Sequence, residues 1–221
     1  MKKTEMAAHG CLLLHDLTAA EQQLEGLCEA LEGEGYPVSL PNLFGFSPRD
    51  QYDRTPMWQR WLTQAQEAYV ELRRVCARVP VIGAGYGGVI ATVIAEQYTL
   101  DGLILLGCVA KPVRAADAVK RFLPFVPLDG ADPAKNVRCL DVGRLARLAN
   151  NNLFSIVNDV LVIQAMADER FDPAGGEALL GAVRSKRRET LELRDARVRD
   201  MCRTHALPIR EAVLKFLQGV E

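Results

Sequence analysis

One segment near the middle of the chain restricts the possible folds more than any other. It begins with the apolar residues 79–82, continues through residues 83–88, of which four are glycine, and ends in an apolar stretch that reaches Tyr98. A short apolar run is typical of a strand buried on both faces of a parallel sheet, and glycine permits a sharp reversal of the backbone. The segment therefore predicts a strand, a tight turn and a helix.

The turn has the spacing of a nucleophile-bearing motif without the nucleophile. In G-x-S-x-G, a serine lies on a sharp turn between a strand and a helix, and its hydroxyl group is exposed to substrate. Gly83, Gly85 and Gly87 occupy the three fixed positions here, so Gly85 stands where the serine is required. Because glycine has no side chain, the turn predicts the geometry of a hydrolytic site without its attacking group.

Residues 83–88 also match the dinucleotide-binding fingerprint G-x-G-x-x-G. That fingerprint belongs to the first strand of its unit, and an acidic residue follows about 20 residues later, at the end of the next strand. Here the next strand, 102–106, is followed by Gly107, Cys108 and Val109, and other strands precede the turn. Dinucleotide binding at the turn is therefore an alternative that the flanking sequence does not favour.

Apolar runs and helical patterns alternate along most of the chain. Strands are predicted at 10–15, 36–40, 79–82, 102–106, 160–164 and 190–193, and the main helices at 19–34, 56–78, 86–98, 173–183 and 208–217. This alternation predicts an α/β fold with a doubly wound, mostly parallel six-stranded sheet. A chain of 221 residues builds such a sheet without dividing, so we expect a single domain over 1–221.

The alternation is interrupted between residues 113 and 158, where prolines and a glycine separate short helical patterns. An insertion of this length in a compact domain is often functional. We expect residues 113–158 to form a short helical lid over a cleft, or a packed excursion that gates nothing.

Composition excludes several classes of partner and cofactor. A formal net charge of -1 gives no electrostatic footprint for nucleic acid. No apolar run approaches the roughly 18 residues of a membrane helix, and the first residues lack a signal peptide, so we expect a cytoplasmic protein. The six cysteines are scattered singly, which indicates reduced thiols and neither disulfides nor a zinc site. We expect no metal and no cofactor.

Three segments together resemble the α/β-hydrolase superfamily, most closely its small bacterial carboxylesterases and monoacylglycerol lipases. They are a strand that ends in His15 and Asp16, the turn 83–88, and residues 164–173 after a later strand. The resemblance extends over 10–220 and implies a compact α/β-hydrolase fold. Asp16 departs from it, because the family has a glycine there.

The resemblance also implies the positions of the catalytic groups. Asp168 falls on the acid of the Ser-His-Asp triad, Gly85 on the nucleophile, and the histidine falls on or beside Arg197. The backbone N–H groups of Leu17 and Tyr86 correspond to the oxyanion hole of the family, which binds the negatively charged oxygen of the reaction intermediate.

The two chemically active members of the triad are therefore missing. Glycine offers no nucleophile, and arginine stays protonated at any working pH, so it cannot act as the base. Asp168 is then either a relic of the triad or a partner of Arg197, and we favour the pairing. The chain is predicted to be a degenerate hydrolase, a pseudoenzyme that binds a small acyl or apolar ligand or a protein partner.

An unconventional ester hydrolase remains the alternative from the enzyme class. Cys108, just after a strand, is the best-placed substitute nucleophile, and Asp168 is a candidate base that activates water. Cys202 and His205 lie three residues apart and are interpreted as a buried thiol and a surface histidine, with a Cys-His dyad as the less favoured interpretation.

Overall fold

The structure is a computed structural model that describes residues 7–17, 21–43, 55–107, 139–168 and 174–219. Within these ranges eight strands are present. They are β1 (Ala7–His9), β2 (Cys11–Leu14), β3 (Val38–Ser39), β4 (Cys76–Arg78), β5 (Val81–Ala84), β6 (Leu103–Leu106), β7 (Val160–Ala165) and β8 (Arg188–Leu193).

Six of these strands form one parallel sheet in the order β3-β2-β5-β6-β7-β8. The four inner strands β2, β5, β6 and β7 are buried at every residue, as their continuous apolar runs predict. The edge strand β8 instead alternates between exposed and half-buried residues until Leu193. The predicted six-stranded parallel sheet is confirmed.

The helices cover the faces of this sheet. Among the described residues they are α1 (Glu25–Gly33), α2 (Met57–Val75), α3 (Tyr86–Gln97), α4 (Cys139–Ala149), α5 (Gly175–Ala182), α6 (Met201–Thr204) and α7 (Ala206–Gln218). Helix α3 is buried continuously from Gly87 to Ala95 because it is apolar on all sides and packs on β5, β6 and α4. None of the helices described is both long and apolar enough to cross a bilayer.

The strand order fixes where a site is expected. The chain proceeds from β2 outward to β3, and later places β5 on the other side of β2. Leu14 at the end of β2 pairs with Gly83 in β5, so the loops that follow both strands emerge side by side. In open parallel sheets, ligands bind outside the carboxyl ends of the strands at such a reversal of strand order.

Two details differ from the sequence-based expectations. The helix predicted to reach residue 78 ends at Val75, and Cys76–Arg78 pairs as β4 with β1 in a separate two-stranded parallel sheet. Three residues are too few to show a strand periodicity, and their partner strand lies near the start of the chain. In addition, the strand predicted at 36–40 is limited to Val38–Ser39.

The predicted lid lies partly outside the described residues, which omit 113–138. Its described part contains α4 and a 3-10 helix, Leu153–Ser155, and α4 packs against α2 and α3. A gating role for 113–158 stays a prediction, as does the single domain over 1–221.

Candidate active site at the carboxyl edge of the sheet

The glycines of the turn between β5 and α3 are required by close packing within the chain itself. A Cβ atom at Gly87 would lie 2.2 Å from the carbonyl oxygen of Leu14, and one at Gly83 would lie 2.5 Å from Cα of Gly88. Gly85 has a φ of +52°, a conformation that side chains rarely permit. Packing of backbone on backbone therefore explains Gly83 and Gly87, and the positive φ explains Gly85.

The space beside Gly85 is filled by a carboxylate. A Cβ atom at Gly85 would lie 2.3 Å from Oδ1 of Asp16 and 3.1 Å from Cγ1 of Val198. Asp16 has no solvent-exposed surface, and its Oδ1 accepts a hydrogen bond of 2.9 Å from the backbone N–H of Tyr86. The Asp16 carboxylate thus fills the space beside Gly85, the predicted nucleophile position.

The structure gives a hydrogen-bond partner for one of the two backbone donors predicted for an oxyanion hole. The N–H of Tyr86 is directed at Asp16, as described above. Leu17 is buried in the turn after β2, and its role as a donor stays a prediction. The N–H of Asp16, the residue before Leu17, donates to Oε1 of Gln23 over 2.9 Å.

The loop after β7 meets the loop after β8 where the triad acid and histidine are expected. The N–H of Ala167 donates to the carbonyl oxygen of Ala196 over 3.0 Å, which aligns the two loops. Asp168 is 6% exposed, and its Oδ2 accepts a 2.8 Å hydrogen bond from the N–H of Val198. Arg197 is exposed. The loop after β8 therefore contacts Asp168 through the backbone N–H of Val198.

Val198 is the residue of this loop that faces the candidate site. It is completely buried, and its side chain approaches both Gly85 and Gly107. A Cβ atom at Gly107, which follows β6 with a φ of +71°, would lie 2.0 Å from Cγ2 of Val198. An isopropyl group consequently fills the region next to the predicted histidine position, and it can neither accept nor donate a proton.

Hydrogen bonds connect four loops at this edge into one chain, which we call the edge network. Asp168 accepts from the N–H of Val198, and the carbonyl oxygen of Val198 accepts from Nε2 of Gln23 over 2.5 Å. Oε1 of Gln23 accepts from the N–H of Asp16, whose carboxylate accepts from the N–H of Tyr86. The loops after β2, β5, β7 and β8 are thereby tied together by buried or half-buried groups.

His15, at the end of β2, is part of the same closed structure. Its ring is 2% exposed, and Nε2 accepts a hydrogen bond of 3.2 Å from the N–H of Leu43. The ring proton is consequently on Nδ1, which donates to the carbonyl oxygen of Asp16 over 3.0 Å. Both ring nitrogens thus bond to backbone groups of the chain itself.

Among the described residues, no cysteine is identified as a nucleophile at this site. Cys108 lies outside them, so its role as a substitute nucleophile stays a prediction. Burial raises the pKa of Cys11 and Cys202 to about 12, which keeps these thiols protonated and unreactive at neutral pH. The described residues contain no group of three metal-ligating side chains placed to hold an ion.

One polar cluster was missed at the sequence level. At the junction of α6 and α7, Oγ1 of Thr204 lies 2.9 Å from Nδ1 of His205, and Nε2 of His205 lies 3.0 Å from Oδ1 of Asp195. We call this hydroxyl, imidazole and carboxylate the α6–α7 corner. The histidine is a half-buried group that bonds to Asp195 at the surface, with Cys202 buried nearby in sequence. No periodicity joins these three positions, so only the fold reveals them.

Neither a protein-family model nor a curated protein matches the chain by sequence. Solved structures are similar over nearly the whole chain. A structure of the metagenome-derived lipolytic enzymes LipS and LipT has a TM-score of 0.81 at 20% identity, covering 97% of this chain and 95% of its own. The monoacylglycerol lipase of Paleococcus ferrophilus has a TM-score of 0.74 at 17% identity, with 98% and 97% covered.

A third structure, Est1E from Butyrivibrio proteoclasticus with bound ferulic acid, has a TM-score of 0.72 at 16% identity and covers 98% of this chain and 90% of its own. These identities are too low to transfer an activity, but the agreement in topology over whole chains is sufficient to identify the architecture. The chain has the α/β-hydrolase fold.

Proposed function

We propose that this protein is a non-hydrolytic protein of the α/β-hydrolase fold that acts by binding a small acyl or apolar ligand or a protein partner. One observation carries the proposal. The carboxylate of Asp16 fills the space in which a nucleophilic side chain at position 85 would lie, 2.3 Å from its Cβ. A site whose attacking group is replaced by a buried anion has no room for ester attack.

The other requirements of ester hydrolysis are also unsupported by the described residues. Acyl transfer needs a general base next to the nucleophile and free donors for the developing oxyanion. Val198 is apolar, and Arg197 is exposed and, as an arginine, does not serve as a general base. The N–H of Tyr86 donates to Asp16, and the Asp168 carboxylate accepts from a backbone N–H. The N–H of Tyr86 and Oδ2 of Asp168 thus already have partners within the fold.

The same carboxylate argues against dinucleotide binding at residues 83–88. A pyrophosphate at the N-terminus of α3 would approach the N–H of Tyr86, which already donates to Asp16. Two anions at one donor in a buried setting repel each other strongly. We therefore keep dinucleotide binding only as an outcome that a titration with nicotinamide and flavin cofactors would reveal.

The first experiment measures hydrolysis of short- and medium-chain p-nitrophenyl esters by the wild-type protein and by its Asp168→Ala and Cys108→Ala variants. We expect the three proteins to give the same background rate. Turnover by the wild type that disappears in Cys108→Ala would identify a thiol nucleophile, and turnover lost in Asp168→Ala would identify a carboxylate-activated water. Either result would overturn the proposal.

A rebuilding series tests the reason for inactivity. Gly85→Ser alone is expected to stay inactive, because the new side chain meets Asp16 and no base is present. Asp16→Gly with Gly85→Ser removes the clash but still lacks a base. Adding a histidine at position 197 or, in a parallel variant, at position 198 supplies one beside Asp168. Appreciable activity of Gly85→Ser alone would show that the assignment of the closed site is wrong.

Binding is measured directly by titrating the wild-type protein with decanoate and with a medium-chain monoacylglycerol in a calorimeter. A saturable heat without ester cleavage would support an acyl ligand. Absence of binding together with absence of hydrolysis would favour a protein partner within the same proposal.

A further inference from the structure

Two apolar side chains project from a short segment that precedes β7. Phe154 is 57% exposed and Val157 is 55% exposed, whereas Ile156 between them is fully buried and anchors the segment in the core. A single exposed apolar residue is ordinary on a protein surface. An apolar patch rimmed by polar or charged groups, in contrast, indicates an interaction site. The neighbours of these two side chains therefore decide what they mean.

A basic loop lies against this segment. Residues 184–188 have the sequence Arg-Ser-Lys-Arg-Arg. The N–H of Arg184 donates to the carbonyl oxygen of Ile156 over 2.9 Å, and the Arg184 guanidinium lies 5.9 Å from the centre of the Phe154 ring, within the range of a cation–π contact. The ring and the loop thus form one surface. We call it the basic-apolar patch and define it as Phe154, Val157, Arg184, Lys186 and Arg188.

Most of the positive charge of this loop is not neutralised. Arg187 is neutralised, because its Nε donates to Oε1 of Glu189 over 2.6 Å. Arg184, Lys186 and Arg188 are exposed, and within the described part of the chain none of them forms an ion pair with a carboxylate. The basic-apolar patch therefore carries three uncompensated cations beside two projecting apolar side chains.

Hydrogen bonds fix the segment that carries the apolar side chains. Oγ of Ser155 donates to the carbonyl oxygen of Asn152 over 2.8 Å, and Nδ2 of Asn158 donates to the carbonyl oxygen of Leu100 over 2.7 Å. The segment and the basic loop precede β7 and β8, so the patch lies at the amino edge of the parallel sheet. The turn at Gly85 lies at the opposite edge, and the patch shares no residue with the edge network.

We propose that the basic-apolar patch binds the surface of bilayers that contain anionic phospholipids. The three cations contact the headgroup phosphates, and the side chains of Phe154 and Val157 enter the interface. A negatively charged leaflet attracts basic residues near its surface, and apolar side chains add affinity because they leave water. In this orientation the carboxyl edge of the sheet is directed away from the bilayer.

The form of the patch favours a bilayer over a protein partner. Projecting side chains enter a fluid interface without a matching cavity, whereas a protein partner must supply one. The carboxylates that precede β6 and β7 at the same edge do little to oppose the charge of the patch. Asp101 and Asp159 are half-buried, and Asp101 is paired with Arg73 over 3.2 Å. The patch thus combines the apolar and the electrostatic contribution that stable binding at an interface requires.

The first test is sedimentation of the wild-type protein with sucrose-loaded vesicles. One set of vesicles contains phosphatidylcholine alone, and the other contains phosphatidylcholine mixed with phosphatidylserine. We expect sedimentation with the anionic vesicles only. Raising the salt from about 0.1 M to about 1 M should weaken binding at least about 10-fold, because the screening length falls from about 10 Å to about 3 Å. Equal binding to both sets, or binding to neither, would overturn the proposal.

Variants of the patch separate its two contributions. Arg184→Gln combined with Lys186→Gln should weaken binding to the anionic vesicles by about 20-fold, since each basic residue near the surface contributes a factor of about five. Phe154→Ser should weaken it by about 5- to 10-fold. Phe154→Trp should bind at least as tightly as the wild type, because tryptophan is favoured at the membrane interface. These side chains are exposed, so circular dichroism should show the wild-type fold in all three variants.

Matched controls lie beyond β8, at the carboxyl edge. Leu207 is 66% exposed at the start of α7, and Leu207→Ser removes a projecting apolar side chain there. Arg194→Gln combined with Arg203→Gln removes two exposed cations from the same edge. Both controls should bind the anionic vesicles as the wild type does. Losses in the controls equal to those in the patch variants would show that overall charge and hydrophobicity, not the patch, cause binding, and would overturn the proposal.

An acidic protein is the competing occupant, and polyglutamate serves as its probe. We expect fluorescently labelled polyglutamate to bind more weakly than the anionic vesicles. Binding of polyglutamate that equals vesicle binding and is unchanged by Phe154→Ser would identify an acidic protein as the occupant and refute the membrane assignment. None of these measurements involves Asp16, Gly85 or ester hydrolysis, so this proposal and the proposed function fail separately.

Discussion

A hydrolytic triad requires reactive side chains at a suitable position in the fold. The turn after β5 and the α6–α7 corner each meet only one of these two requirements. The turn has the position, between a buried strand and a helix at the carboxyl edge, but Gly85 offers no reactive group. The corner has a hydroxyl, an imidazole and a carboxylate in hydrogen-bond contact. It lies at the surface, however, and the Asp195 side chain is 87% exposed.

The comparison shows that reactive groups and their environment are separate requirements. Oγ1 of Thr204 also donates to the carbonyl oxygen of Asp200 over 3.1 Å, a bond within the helical turn that competes with any transfer of its proton to His205. At the turn after β5, the protein's own side chains, Asp16 and Val198, fill the space beside Gly85. We expect mutations at the turn to change stability strongly and mutations at the corner to change little.

The largest effect is expected from adding a methyl group to the turn. Gly85→Ala and Gly107→Ala place Cβ atoms 2.3 Å from Asp16 and 2.0 Å from Val198, both at positive φ. Each should lower the free energy of unfolding by about 3 kcal/mol or more, measured by urea denaturation. Gly143→Ala is the matched control, since its Cβ has open space within α4, and it should raise the free energy by about 0.5–1 kcal/mol.

If Gly85→Ala is as well tolerated as Gly143→Ala, then Asp16 does not fill the space beside the turn in solution. The comparison between the two regions would then lose its basis.

A smaller effect is expected from interrupting the edge network. Gln23→Ala removes the side chain that joins Asp16 to Val198 and should lower the free energy of unfolding by about 1–2 kcal/mol. Gln22→Ala is the control, because Gln22 is exposed in the same turn. Combined with Asp16→Asn, the Gln23→Ala loss should be smaller than in the wild type, since both act on one network. Strict additivity would indicate independent contacts.

A carboxylate away from both regions gives a pH-dependent test. Burial raises the pKa of Glu96 to about 7, although a hydrogen bond from the N–H of Asn152 acts in the opposite direction. Since the folded pKa lies above the usual 4.5, ionisation costs stability as the pH rises from about 4.5 to 7. Glu96→Gln keeps the acceptor, so it should equal the wild type near pH 4 and exceed it by about 1 kcal/mol at pH 8 after allowance for solvent screening.

Chemical denaturation at both pH values measures this difference. A Glu96→Gln variant that is no more stable than the wild type at pH 8 would contradict the assigned burial of the carboxyl group.

The smallest effect is expected at the corner. Thr204→Val and His205→Gln should leave the background rate of p-nitrophenyl ester hydrolysis unchanged, because the corner lies at the surface and no oxyanion donor has been identified beside it. The matched measurement is the same assay on Asp168→Ala. A loss of turnover confined to the two corner variants would place an active site where the comparison predicts none.

Much of the fold was accessible from the sequence because its strands are continuous apolar runs. Leu103–Leu106 agrees with the predicted strand, and the turn at Gly85 lies between a strand and a helix as predicted. The strand Cys76–Arg78 was not accessible, because its formation depends on a partner elsewhere in the chain. Local sequence patterns thus predict strands that are buried because their own residues are apolar. They do not predict strands that form only by pairing with a distant segment.

The candidate site was only partly predictable for the same reason. That Gly85 has no side chain to act as a nucleophile is evident from one residue, but the identity of the group that fills the space beside it depends on how four loops meet. Val198 and Arg197 are neighbours, and only the fold shows that the valine faces inward. Asp16 was recognised as an added charge near the turn, whereas its bond to Tyr86 required the register of β2 and β5.

The edge network also has a consequence for the order of folding. The Gln23 to Val198 bond joins groups 175 residues apart, whereas the Asp16 to Tyr86 bond joins groups 70 apart. Closing a long loop costs conformational entropy before the contacts it forms lower the free energy. Sheets dominated by contacts between distant residues therefore fold slowly. During synthesis, β2, β5 and α3 emerge well before Val198. The nascent chain therefore carries the glycine turn without its valine cover until residue 198 has been synthesised, and closure of this edge is expected after β2, β5 and α3 have formed.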